Sequence, residues 1–212
     1  MIQSATGIIL RTRPLTETSL IVNWLTPEFG RISTVAKGAR RPKSPFAGKL
    51  DLCYRADFSF TRSRRSDLHA LREISLRETH VKLREELAAL QQAGYCAALI
   101  EQTTEADTAL PEIYALFNGL VGHLVDQPPR PRTVFAFELK LLRLLGLAPD
   151  VLESKLTPET QKLVAALADA PWEKLAALRA TGPQARAVQQ FLHGFLIYHL
   201  GKIPKSRSAV LA

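Results

Sequence analysis

Two hydrophobic periods divide the chain near His80. Before it, apolar and polar residues alternate, the period of two that buries one face of a strand. The cleanest run is 52–60, where Leu52, Tyr54, Ala56, Phe58 and Phe60 alternate with Cys53, Arg55, Asp57 and Ser59. Residues 7–12 (GIILRT) and 19–26 (SLIVNWLT) are rich in Leu and β-branched side chains, and Arg13-Pro14 between them interrupts any helix. A Thr26-Pro27-Glu28-Phe29-Gly30 turn leads to a third strand at 31–37, and a polar tip at 62–66 (RSRRS) joins the fourth to a fifth at 68–76. Five short strands in about 80 residues predict a small closed or partly closed barrel, for which an OB-fold is the natural candidate.

After His80 the spacing lengthens to the helical repeat. Helices are predicted at 81–104 (interrupted at Gly94), 110–125, 133–145, 158–168, 172–180 and 183–200. Pro111 suits a first helical turn, the 127–131 run QPPRP separates the second helix from the third, and Gly146 and Pro149 stop the third. Residues 133–145 are apolar nearly all round, which places that helix at the centre of a bundle. The last helix carries Val188, Phe191, Leu192, Phe195, Leu196 and His199 on one stripe. The predicted fold class is α+β, all-β then all-α: a five-stranded OB-fold barrel over 1–80, then a helical bundle over 81–212.

At 46% hydrophobic and 23% charged residues, the 212-residue chain has the composition of a folded globular protein. The longest uncharged stretch, 187–201, is 15 residues with two Gln and two His, short of the roughly 18 apolar residues a membrane span needs. The opening MIQSATGIIL has no basic leader, so neither a membrane span nor a signal peptide is expected. Cys53 and Cys96 suggest no disulfide framework, and a cytoplasmic location is expected. Gly48-Lys49 is followed by Leu50 and lacks the preceding glycine of a phosphate-binding loop. The chain has no G-x-S-x-G, H-E-x-x-H or C-x-x-C, and His193 and His199 are wrongly spaced for one helical face to grip a metal. A non-enzymatic protein without cofactor or metal is therefore expected.

Charge sharpens this picture. Residues 1–80 hold fourteen Lys and Arg against seven Asp and Glu, a net +7 of the chain's +8. An excess confined to one domain is the mark of a surface that docks a polyanion. Its densest part is 37–49 (KGARRPKSPFAGK), with five cations, no acid, and enough Gly and Pro to bar a regular helix. Lys37, Arg40, Arg41, Lys43 and Lys49 can displace counterions from phosphates, and Ser44 adds a further donor. Arg31, Arg62, Arg64 and Arg65 extend the candidate surface. Phe46 and Phe29 have no strand face to hide on and are candidates for stacking on bases, or for pinning their loops to the barrel. Tyr54, Phe58 and Phe60 read as barrel core. Beside nucleic acid of either kind, an RNA-binding OB factor or a non-catalytic protein adaptor fits the same residues.

Thr6-Gly7-Ile8-Ile9-Leu10, the 26–30 turn and the run Lys37-Gly38-Ala39-Arg40-Arg41-Pro42-Lys43-Ser44 resemble the N-terminal signature of the bacterial DNA repair and recombination protein RecO family. The segments 135–146 (FAFELKLLRLLG) and His199-Leu200-Gly201 with Lys205-Ser206-Arg207 are similar too. The resemblance implies an OB-fold joined to a helical domain, binding of ssDNA and dsDNA, and annealing of complementary strands without nucleotide hydrolysis. It implies assistance, with RecR, in loading RecA onto DNA covered by single-stranded DNA-binding protein (SSB) in a bacterial, nucleoid-associated setting. It further implies DNA contacts for Lys37, Arg40, Arg41 and Lys43, and docking of the acidic, apolar-ended SSB tail on the helical domain. Lys202 and Lys205 are the candidates at that groove. Many members carry a four-cysteine zinc site after the central helix, whereas 149–181 here has no cysteine.

Overall fold

A computed structural model describes residues 1–211. Five strands close a barrel: β1 (Ile2–Pro14), β2 (Leu20–Thr26), β3 (Gly30–Ala36), β4 (Arg55–Thr61) and β5 (Leu68–Glu78). Their order around it is β1-β2-β3-β5-β4, with β4 returning to β1. All pairings are antiparallel except β3 with β5, which run parallel over Ser33↔Leu68 to Val35↔Ala70. This is the expected OB-fold, and closure leaves no strand edge open to other chains. Alternation decides which side chains fill it: Ile9, Val22, Trp24, Ile32, Ala56, Phe58 and Phe60 are buried together. Trp24 stacks on Phe58 at 4.0 Å, and its indole N–H donates to Thr34 Oγ1 at 2.9 Å, which satisfies its one buried donor.

Two strand boundaries differ from the expectation for a backbone reason. β1 begins at Ile2 and bulges between Ile9 and Arg11, long enough to pair with β2 at one end and β4 at the other. β4 begins at Arg55, not Leu52, because Cys53 takes a left-handed backbone at φ 63° and turns the chain before the strand starts.

The helices are α1 (Leu87–Thr103), α2 (Pro111–Asp126), α3 (Pro131–Leu144), α4 (Pro158–Asp169), α5 (Trp172–Leu175), α6 (Gly182–Leu200) and α7 (Arg207–Val210), preceded by a 3-10 turn at Val81–Arg84. α1 runs unbroken through Gly94, and the helix expected over 172–180 is a single turn. Thr181 caps α6 through a reciprocal box with Gln184. The chain divides into two compact units, Met1–Val81 with Thr103–Asn118, and Lys82–Gln102 with Gly119–Ala212. Residues 103–118 thus belong to the barrel unit. Among the described residues no helix is long and apolar enough to cross a membrane.

Candidate nucleic-acid interface

The basic segment 37–49 connects β3 to β4 as a chain of tight turns. Backbone N–H groups of Ala39, Arg41, Ser44, Ala47 and Lys49 donate to the carbonyls three residues before, at 3.0–3.3 Å. Gly38 and Gly48 both take φ 70°, the left-handed conformation that side chains resist. Ala39 and Phe46 are buried in the barrel's core cluster and act as two apolar staples. Between and around them Lys37, Arg40, Arg41 and Lys43 are exposed, with Lys49 half-buried. The loop therefore presents cations from a backbone already ordered by its own turns, which lowers the entropy lost on binding.

The β1–β2 connection supports it from below. Arg40 N–H donates to the Thr18 carbonyl at 3.0 Å, and its guanidinium reaches the Thr16 carbonyl at 3.3 Å. A guanidinium has five N–H donors, so most of this one stays open to a phosphate. The register Pro14↔Leu20↔Ala36 puts Arg13 at the same end of the barrel, where it is exposed. Arg13 was legible only as a breaker beside Pro14; its place next to the loop needed the strand pairing.

Several expected contacts are corrected. Phe46 is 7% exposed in the barrel core and cannot stack on a base. Phe29 is half-buried, edge-on to Phe60 at 5.8 Å, and pins its turn. Ser44 Oγ accepts the Phe46 N–H at 3.2 Å and so shapes the loop from within. Arg31 donates from Nε to Thr104 Oγ1 at 2.7 Å and from its Nη2 to the Thr104 carbonyl, tying β3 to the 104–110 segment. Arg62 is paired with Asp107 on that same segment. Arg64 and Arg65 are exposed on the β4–β5 connection, two strands across from the start of the loop, since Thr61 pairs with Ala70 and Ala70 with Val35.

Three of the other barrel cations are tied to neighbouring groups. Arg77 pairs with Asp57, Arg55 with Glu78, and Arg72 donates to Thr61 Oγ1 at 2.8 Å. The Thr6 hydroxyl first, then Arg77, hold the Asp57 carboxyl below its ordinary range. Among the described residues, positive charge stays exposed and without an ion pair on the 37–49 loop, and also at Arg13, Arg64 and Arg65.

In the helical unit, the residues do not fit a four-cysteine metal site. Its one cysteine, Cys96, is buried, Cys53 lies in the barrel unit, and among the described residues no group of three His, Cys, Asp or Glu could hold an ion. That region is held by protein contacts: Arg143 with Asp169 at 2.7 Å, Lys140 Nζ to the Ala168 carbonyl at 2.9 Å, and Trp172 seated on Gly119 and His123. An apolar pocket of about 180 Å³ between α3, α4 and α6 is lined by Phe135, Leu163, Leu167, Leu178 and Val188, with Arg130 and Arg132 at its edge. Lys202 and Lys205 are exposed beyond α6. Lys205 borders a different groove with Gln190 and His193, and the Lys202 carbonyl accepts from the Gln102 amide.

Comparison with known proteins matches this architecture. The family model for the recombination protein O N terminal matches residues 1–80, and that for its C terminal matches 84–154 and 152–208. The DNA repair protein RecO of Rhodopirellula baltica is 35% identical over 143 residues, 68% of this chain and 53% of that protein. Those of Anaeromyxobacter dehalogenans and Exiguobacterium sibiricum are each 33% identical, over 144 and 151 residues, covering 57% and 59% of their lengths. The match thus spans little more than half the length of these curated relatives.

Proposed function

The chain belongs to the recombination protein O family, and from that premise we propose that it is a non-catalytic mediator of recombinational DNA repair. It binds single- and double-stranded DNA through the β3–β4 loop and anneals complementary strands without nucleotide hydrolysis. With RecR it assists the loading of RecA onto SSB-covered DNA. The observation that carries this reading is the stapled loop, with Lys37, Arg40, Arg41 and Lys43 exposed around buried Ala39 and Phe46.

Annealing asks little covalent chemistry of a protein. Two strands repel through their phosphates, and a cationic surface that screens both lowers the barrier to their meeting. Cations without an exposed aromatic partner hold the backbone and leave the bases free to pair. The loop has that character once Phe46 is buried. The apolar pocket lined in part by Arg130 and Arg132 supports the partner half of the reading, since an acidic segment ending in a large apolar side chain fits a small greasy cavity with cationic residues in its lining. Arg130 and Arg132 replace Lys202 and Lys205 as the residues of that contact.

The test is annealing of two complementary fluorescent oligonucleotides by the purified chain, without nucleotide or metal, over a salt series. Acceleration that fades as salt rises is expected. Arg40→Ala with Arg41→Ala should weaken single-strand binding roughly tenfold near 100 mM salt, with an unchanged thermal midpoint. Unaltered binding in that variant would remove the loop from the mechanism. A strong preference for RNA over a matched DNA strand in competition would point away from repair.

A further inference from the structure

α6 has more than one working face. Val188, Leu192 and Leu196 are buried and hold it in the helical unit. At 100° per residue, Phe191, Phe195 and Tyr198 fall within an arc of about 60° that adjoins the buried one. Their rings form a ladder with His199: Phe191 to Phe195 at 6.1 Å, Phe195 to His199 at 4.2 Å, Tyr198 to His199 at 4.9 Å. Phe191 and Phe195 are half-buried, and Tyr198 is 83% exposed. Beside the ladder Gly194 leaves the helix bare, since a Cβ there would meet nothing within 4 Å. Past Gly194 lies a groove of about 520 Å³ bordered by Gln190, His193, Lys205 and Ser208.

The C-terminal stretch that includes α6 carries charge of one sign. After Glu173 the sequence has no Asp or Glu but six Lys and Arg. Arg207 is neutralised by Glu138, and the other five, Lys174, Arg179, Arg186, Lys202 and Lys205, are exposed. The exposed Tyr198 and His199, with exposed Lys202 and Lys205 a few residues on, supply the two components of a single-strand site, because every base has a face to stack and every linkage a phosphate to neutralise. A protein partner would need a continuous apolar patch, whereas this one is interrupted by His199 and Gly194 and flanked by Gln190 and His193.

We propose that this face of α6 is a second single-stranded nucleic-acid surface, stacking bases on Phe195, Tyr198 and His199 and placing phosphates along the Lys202–Lys205 side. It rests on the reading of the chain as a nucleic-acid binder, but not on the barrel loop. A chain with two such surfaces holds two strands at once, one by its backbone and one by its bases.

The probe is a fluorescein-labelled thymidine 30-mer containing 4-thiothymidine, photocrosslinked to the full chain and mapped by mass spectrometry. Crosslinks to the peptide holding Phe195 and Tyr198 are expected, and they should persist in the Arg40→Ala, Arg41→Ala variant. Tyr198→Ala with Lys205→Ala should weaken single-strand affinity about tenfold, with duplex affinity and thermal midpoint unchanged. Crosslinks confined to 37–49, with affinity unaltered in the Tyr198→Ala, Lys205→Ala variant, would overturn this inference and leave the loop reading standing. Crosslinks confined to α6 would do the reverse. Retained oligonucleotide affinity with loss of binding to an acidic peptide would overturn it in favour of a protein partner.

Discussion

A guanidinium buried among helices is tolerable only when its charge is answered at close range. Arg207, 3% exposed, donates from Nε and Nη2 to the two Glu138 oxygens at 2.7 and 2.8 Å, and Glu138 is fully buried. The Tyr95 hydroxyl donates to the same carboxylate. Burial, and then the Glu138 charge, push that hydroxyl far above the ordinary phenol range, so it remains a donor. Arg207→Ala leaves a buried carboxylate without its cation and should cost about 3–5 kcal/mol, read as a lower urea midpoint at constant slope. Glu138→Leu with Arg207→Met and Tyr95→Phe should recover most of that loss, because three apolar groups of similar volume need no partner. None of this was legible in the chain: Glu138 is an acid inside an otherwise apolar helix, Arg207 reads as one more cation of a basic tail, and 69 residues separate them. Arg31 and Arg62 hide their partners in the same way, across 73 and 45 residues, which is why counting cations overstated the interface.

Elements were legible where a local rule governs them. The strand alternation of 55–61 and the proline starts of α2 and α4 are written in adjacent residues, whereas α3 starts two residues earlier than expected, at Pro131. The segment 104–110 is not so written, since its place is set by backbone contacts with distant strands: Asp107 N–H donates to the Arg31 carbonyl at 2.9 Å and Leu110 N–H to Pro27 at 3.2 Å. Gly30 makes this docking feasible. It takes φ 60°, and a Cβ there would lie 1.7 Å from the Thr108 carbonyl oxygen. The turn motif ending in Gly30 was visible, but the second reason for its glycine was not. Gly30→Ala combines left-handed strain with a backbone clash and should destabilise the barrel unit by at least about 2 kcal/mol. Limited proteolysis should show new cleavage within 104–110; a variant as resistant as the parent would refute the docking role.

At the scale of the whole molecule, composition indicated a polyanion partner, but the structure decides how many charges meet it. Of the fourteen cations in the first 80 residues, Arg31, Arg55, Arg62 and Arg77 are tied to neighbouring protein groups. On the proposed reading the contacts to DNA are made by the loop's Lys37, Arg40, Arg41 and Lys43, which are exposed. Each phosphate neutralised on a single strand contributes about 0.7 to the slope of log affinity against log salt. Four such contacts give a slope near −3, and losing Arg40 and Arg41 should flatten it by about 1.4. Arg31→Ala should leave the slope unchanged while lowering stability, because its guanidinium faces Thr104 and not solvent anions. Shuffled oligonucleotides of equal length should bind alike, since phosphate contacts carry no sequence information. Anisotropy titrations between 50 and 200 mM salt separate these outcomes. A slope that falls equally for Arg31→Ala and for the Arg40→Ala, Arg41→Ala pair would mean that the field of the whole barrel, not the stapled loop, holds the strand.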